Sequence, residues 1–142
     1  MYLEHANLTV PSIEHSMKFL NIAFPDFRQR GGGAMFGDET LGQWVHFGND
    51  KTYLALNQVT TKVPEVDSGY ASAGLNHLGF VVDDIYAIIE RYRAAGYEPS
   101  DANSMGAHPH RERVYFKDEC GVEWEFVQYL SEQALERNDY AL

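Results

Sequence analysis

Three side chains have the types and settings that metal chemistry requires: His5, His77 and Glu125. Each histidine heads a short apolar run, His5 before Ala6-Asn7-Leu8-Thr9-Val10 and His77 before Leu78-Gly79-Phe80-Val81-Val82. Glu125 interrupts an otherwise apolar and aromatic stretch between Val122 and Tyr129. Strand alternation puts Glu123, Glu125 and Val127 on one face and Trp124, Phe126 and Gln128 on the other. A carboxylate facing a cleft without a partner is costly, so Glu125 calls for one. Two imidazoles and one carboxylate from three separate strands make a facial triad, which leaves positions on a divalent ion open to water or substrate.

The elements that must carry these residues occur twice. His5 to Val10 reads as a strand ended by Pro11, with Ser12 as cap of a helix running to about Ala23, before Pro25. Leu75 to Val82 reads as a second strand, followed by Asp84 and a helical pattern at Ile85, Ile88, Ile89 and Tyr92 that closes at Gly96. Placing His5 on His77 also places Val10 on Val82, Ile13 on Ile85 and Met17 on Ile89. In the first half, residues 26–30 read as a short polar strand. Gly31-Gly32-Gly33 reads as a loop or bulge, since no Gly-Lys-Ser/Thr follows to make a phosphate loop. Gln43 to Phe47 and Lys51 to Asn57 form a hairpin around Gly48-Asn49-Asp50. In the second half a short strand near Tyr97 to Pro99 precedes a loop from Ser100 to Pro109. A hairpin of Arg111 to Lys117 and Val122 to Tyr129 follows. Ser131 to Leu142 reads as a helix capped by Ser131.

The expected organisation is one α+β domain over 1–142. Two tandem βαβββ modules, about 1–58 and about 75–130, form a curved, half-open mixed sheet around a cleft. A linker covers 59–74 and a C-terminal tail 131–142. A chain of 142 residues builds such a core without staples. Eleven basic against 21 acidic residues give a formal charge of −10, which argues against nucleic acid or an anionic membrane as partner. The single cysteine, Cys120, excludes an intrachain disulfide and suits a reducing, cytoplasmic compartment. Acidic neighbours Asp118, Glu119, Glu123 and Glu125 disfavour its thiolate. No signal peptide or membrane-spanning run is evident.

The paired modules, a histidine on the first strand of each, and D-x-x-G-x-x-x-E in the last hairpin (Asp118, Gly121, Glu125) together resemble the vicinal oxygen chelate superfamily. That group includes glyoxalase I, fosfomycin- and bleomycin-resistance proteins and extradiol dioxygenases. The resemblance covers nearly all of the chain except its last ten or so residues. It implies that His5, His77 and Glu125 are metal ligands for Fe, Mn, Ni or Zn. Superposing Lys51–Asn57 on Val122–Gln128 puts Leu54 at the fourth position, where glyoxalase I has an acid, so a three-ligand site is expected. Dioxygenases of the group carry a tyrosine on the strand before the glutamate, which Tyr115 matches. Arg111 and Arg113 would suit a phosphonate, as in fosfomycin-type transfer.

The resemblance thus implies a metal-dependent lyase, transferase or dioxygenase acting on a small oxygen-bearing molecule. Tyr115, His46 or His110 would move protons. A homodimer is expected, because open sheet edges invite pairing. The alternative is a metal-free, drug-sequestering binder of the same fold, in which these residues hydrogen-bond a ligand or each other. His108-Pro109-His110 reads as a loop edging the pocket and His15 as a helix-surface residue. The aromatics Trp44, Phe47, Tyr53, Trp124 and Phe126 read mainly as sheet packing.

Overall fold

Both halves of the chain open with a strand that stops at a polar residue and passes at once into a capped helix. A computed structural model describes residues 1–63, 69–71, 73–101 and 105–141. Parts of the expected linker (64–68 and 72), of the loop from Ser100 to Pro109 (102–104), and Leu142 lie outside the described residues. The chain divides into two compact units, Met1–Val66 and Asp67–Leu142.

In the first unit β1 (His5–Thr9) leads into α1 (Ile13–Ala23), and Ser12 Oγ accepts from His15 N at 3.2 Å as the N-cap. β2 (Arg28–Ala34), β3 (Gly42–Gly48) and β4 (Tyr53–Val59) complete a sheet of order β1-β4-β3-β2, with β1 and β4 parallel. The core holds Val10, Phe19, Leu20, Phe47 and Leu56, each almost fully buried. The triple glycine, expected as a loop or bulge, lies inside β2, where a register shift between Gln29 and Gly31 marks an irregularity of the bulge kind. Gly32 is required there, since a Cβ would stand 2.8 Å from the Trp44 carbonyl oxygen.

In the second unit β5 (His77–Val81) leads into α2 (Ile85–Ala94), capped by Asp84, whose Oδ1 accepts from Ala87 N at 3.0 Å. β6 (Arg111–Lys117) and β7 (Glu123–Tyr129) complete a sheet of order β5-β7-β6. Trp124 and Phe126 are fully buried, and Tyr92 of α2 stacks on Phe116 at 4.4 Å between ring centres. The expected strand at Tyr97 to Pro99 is not formed. Tyr97 N is spent on Tyr92 O at 2.9 Å, closing the helix end behind Gly96 (φ 90°), and Pro99 has no N–H to give. Beyond it Ser100 N donates to Tyr115 O at 2.8 Å. The expected C-terminal helix is one turn, α3 (Ala134–Arg137). Ser131 does not cap it. Its Oγ accepts from Gln133 N instead, forming a local turn.

The repeat is visible in the hydrogen bonds. Val10 N donates to Asn57 O and Ile13 N to Gln58 Oε1; Val82 N donates to Val127 O and Ile85 N to Gln128 Oε1. Val10 and Ile13 therefore match Val82 and Ile85, as expected. Gln58 matches Gln128, however, so the sequence superposition of the last strands is one residue out. The ladders agree: His5 lies opposite Tyr53 and His77 opposite Glu123. Two residues further on, Ala55 and not Leu54 occupies the place of Glu125. A slip of one residue exchanges the faces of a strand. Leu54 belongs to the buried face with Val45, Phe47 and Leu56, and Ala55 to the opposite face with His46.

Candidate functional site

In the second unit, alternation along β7 sends Trp124 and Phe126 into the core and turns Glu125 to the other face. Parallel pairing sets Gly79 of β5 directly beside Glu125, and antiparallel pairing sets Tyr115 of β6 on its other flank. Three side chains meet as a result. His77 Nε2 lies 3.2 Å from Glu125 Oε2, Tyr115 OH donates to Glu125 Oε1 at 2.8 Å, and the His77 and Tyr115 rings meet edge to face at 5.5 Å. Gly79 provides the room: a Cβ there would stand 3.2 Å from Glu125 Oε2, tighter than ordinary contact. His77 and Glu125 keep 27% and 16% of their side-chain exposure, so both remain reachable from solvent. A cavity of about 290 Å³ opens alongside, lined by Tyr70, Asp101, Arg113, Tyr115 and Glu123.

The turn that delivers Glu125 is held by Asp118. Its Oδ1 accepts from Cys120 N and Val122 N, both at 2.9 Å, and its Oδ2 from Trp124 Nε1 at 3.1 Å. Gly121 supplies the positive φ of 86° that the turn needs. In D-x-x-G-x-x-x-E, then, Asp118 and Gly121 fix the register and Glu125 is the residue presented. Burial pushes the Asp118 carboxyl above its ordinary value, although its N–H donors pull the other way. Tyr115 is also pushed up, first by burial, then by its hydrogen bond to Glu125 and by that carboxylate's charge. It therefore stands as a neutral donor and not as a base.

In the first unit His5 lies flat on Tyr53, with ring centres 4.7 Å apart and planes 16° apart. His46 meets the same tyrosine at 4.6 Å, and the Arg30 guanidinium sits 4.5 Å over its ring. His5 Nδ1 contacts Glu4 Oε2 at 2.9 Å. A carboxylate on one imidazole nitrogen fixes the tautomer and directs the other nitrogen to a metal. Glu4, unremarked in the sequence, thus holds one nitrogen of His5, and its adjacency was the available signal. His110 lies elsewhere. It precedes β6 five residues before Tyr115, about 16 Å along an extended chain. Its backbone N donates to His108 Nδ1, and its own Nδ1 is 3.8 Å from Glu136 Oε2. His108 is buried against Asp139 O, so this histidine pair ties down the C-terminal turn.

The pair in the second unit fits a divalent ion. Two donors about 2.1 Å from one ion and near a right angle apart stand about 3.0 Å from each other, close to the observed contact. Nδ1 of His77 is buried and has no hydrogen-bond partner among the described residues, so none of these fixes the ring's other nitrogen. Within either unit, among the described residues, no three His, Cys, Asp or Glu side chains gather around one point. Unit two alone supplies two donors, and His5 belongs to unit one.

Comparison with known proteins identifies the family and the fold. A family model described as the glyoxalase/bleomycin resistance protein/dioxygenase superfamily matches residues 2–126. No curated protein sequence matches the chain. Among solved structures, a glyoxylase/bleomycin resistance protein/dioxygenase domain from Frankia sp. EAN1pec is 19% identical, with a TM-score of 0.72 over 98% of each chain. A glyoxalase family protein from Bacillus cereus is 13% identical, with a TM-score of 0.73 over 92% of this chain and 95% of the other. The fosfomycin resistance protein FosX from Listeria monocytogenes, solved with Mn(II) and sulfate, is 17% identical, with a TM-score of 0.66 over 97% and 98%. Among the described residues no helix is long and apolar enough to cross a membrane. With its two strand–helix–hairpin units and a family match running from residue 2 through residue 126, the chain belongs to the glyoxalase/bleomycin resistance/dioxygenase superfamily.

Proposed function

We propose that the protein is a divalent-metal-dependent enzyme acting on a small oxygen-bearing molecule, with His5, His77 and Glu125 holding the ion. The observation that carries this reading is the 3.2 Å approach of His77 Nε2 to Glu125 Oε2 beside a glycine that makes room for the carboxylate. A bound Fe, Mn, Ni or Zn ion would supply Lewis acidity to adjacent oxygens of the substrate. The protein's own groups do the rest. Tyr115 holds the Glu125 carboxylate in one orientation through Oε1 and keeps its proton as the pH rises. Glu4 and the Tyr53 ring hold His5. His46, beside Tyr53, is the imidazole available in unit one for moving a proton. Arg113 on the wall of the second-unit cavity offers a cation to an anionic part of the substrate.

A second reading has support in the same contact. His77 and Glu125 at 3.2 Å also satisfy an ion pair, as expected of a metal-free small-molecule binder. Metal analysis separates the two. The purified full-length chain, stripped and then dialysed against Mn(II), Fe(II), Ni(II) or Zn(II), is expected to retain one ion per chain. His77→Ala and Glu125→Gln should each lose it. No retention of any ion would leave the binder as the reading.

A further inference from the structure

The last residues of the chain come back over one end of the second sheet. Val114 and Phe116 of β6 are buried in the core, so Arg111, Arg113 and Tyr115 point the other way, and Tyr129 of β7 lies across from Arg111. Arg111 is about 13 Å along the strand from Tyr115. Past Tyr129 the chain turns at Ser131, forms α3 and returns over this pair. The Arg137 guanidinium sits 4.6 Å over the Tyr129 ring, and the Arg111 guanidinium 4.9 Å from the Tyr140 ring. Two neighbours on the sheet are thus covered by a crossed pair of cation–π contacts. His108 Nε2 meets Asp139 O at 2.8 Å, and His110 Nδ1 lies 3.8 Å from Glu136 Oε2, which ties the far side of the segment to the approach to β6.

Two observations set this segment apart from a packed element. No side chain of α3 is buried, and Leu135 and Tyr140 are 89% and 81% exposed. The segment has no apolar anchor. Surface contacts of this kind are individually weak, so it opens locally far more readily than the strands beneath it. The second observation is Arg111 Nε, which is buried and has no acceptor among the described residues. An N–H shut away from water without an acceptor is costly, and the closed arrangement bears that cost. Uncovered, Nε and its neighbouring Nη present the two-donor edge that holds an oxyanion side-on.

We infer that residues 134–141 are a detachable strap, and that an oxyanion on Arg111 and the closed strap exclude each other. Anion binding then lifts the strap, and the closed strap keeps Arg111 out of use. The device involves none of the proposed metal ligands, so it is tested on metal-stripped, full-length protein and does not fall with the metal reading.

Inorganic phosphate is the probe, titrated by nuclear magnetic resonance with amide hydrogen exchange as the second readout. In wild type it should speed exchange across 134–141 saturably and leave the β6–β7 ladder unchanged. Tyr140→Ala and Tyr129→Leu each remove half of the crossed pair and keep every charge. Both should bind phosphate up to about tenfold more tightly, because less of the protein is held closed. Arg111→Gln should lose the binding in each background, with circular dichroism confirming the fold. Affinity unchanged or weakened in Tyr140→Ala and Tyr129→Leu, or binding that survives Arg111→Gln, overturns the exclusion. Exchange across 134–141 as slow as in the β6–β7 ladder, or a ladder that loosens together with the segment, overturns the strap.

Discussion

Asp118 is the residue on which the turn before Glu125 depends most. Its buried carboxylate satisfies three N–H donors, two on Oδ1 and one on Oδ2. Asp118→Ala would leave all three without their acceptor beneath the turn. A buried donor deprived of its partner costs about 1–3 kcal/mol, and the three share one turn and are not additive. The expected loss is about 3–5 kcal/mol. Asp118→Asn differs in a specific way. Its carbonyl oxygen can keep Cys120 N and Val122 N, while its NH2 group faces the Trp124 indole N–H, so about 1–2 kcal/mol should be lost.

The pH dependence has a definite sign. Burial holds the Asp118 carboxyl above its ordinary value, so the folded chain takes up this proton more readily than the unfolded one. Its contribution is fully present below the unfolded pKa and falls as pH rises through the folded one. Wild type should therefore gain on Asp118→Asn as pH is lowered into the carboxylate range. Urea unfolding followed through Trp124, in a Trp44→Phe background so that only the second unit reports, measures both variants. Equal losses for alanine and asparagine, or a loss below about 1 kcal/mol for alanine, would refute this account of the turn.

Other expectations follow from the same coordinates. Burial raises Tyr92, Tyr97 and Tyr115, with Tyr97 pushed up to about 12, so an ultraviolet titration should show three of the nine tyrosines ionising late. The stability tied to these groups is intact below the ordinary tyrosine value and lost as pH rises beyond it. Tyr115→Phe removes the donor that orients Glu125 and should weaken metal retention by about 10–100-fold in a competition assay, with little change in thermal stability. Leu54→Ala should cost about 2–5 kcal/mol in urea unfolding, whereas Ala55→Ser, on the opposite face, should cost under about 1 kcal/mol. The reverse ranking would restore the register that the ladder excludes.

Much of the fold was legible because its signals were local. Ser12 caps its helix as read, and the alternation of Trp124, Glu125 and Phe126 told core from face correctly. What failed depended on partners distant in the chain. Glycines at 31–33 read as a loop or bulge; the register does shift beside Gly31, but a neighbouring strand and the Trp44 ring accept the three as sheet. Tyr97 to Pro99 has strand composition, yet Tyr97 N is spent on the helix end and Pro99 has no N–H to give. The one-residue error at Leu54 arose because apolar residues run through Tyr53 to Leu56 on both faces, so composition gave no register. At the site, residue types pointed to His77 and Glu125 and the family resemblance to Tyr115, and strand pairing brings those three together. Glu4 and Gly79 were invisible to a search for reactive groups, since one only contacts an imidazole and the other only makes room.

The most direct test of the central proposal counts the imidazoles on the ion. Full-length protein loaded with one Mn(II) is expected to show two histidine nitrogens coupled to the metal in pulsed electron spin resonance. His5→Ala and His77→Ala should each leave one, and Glu125→Gln should weaken loading while leaving both nitrogens in the residual signal. A spectrum with one histidine nitrogen that survives His5→Ala, or with none, would contradict a site built from His5, His77 and Glu125.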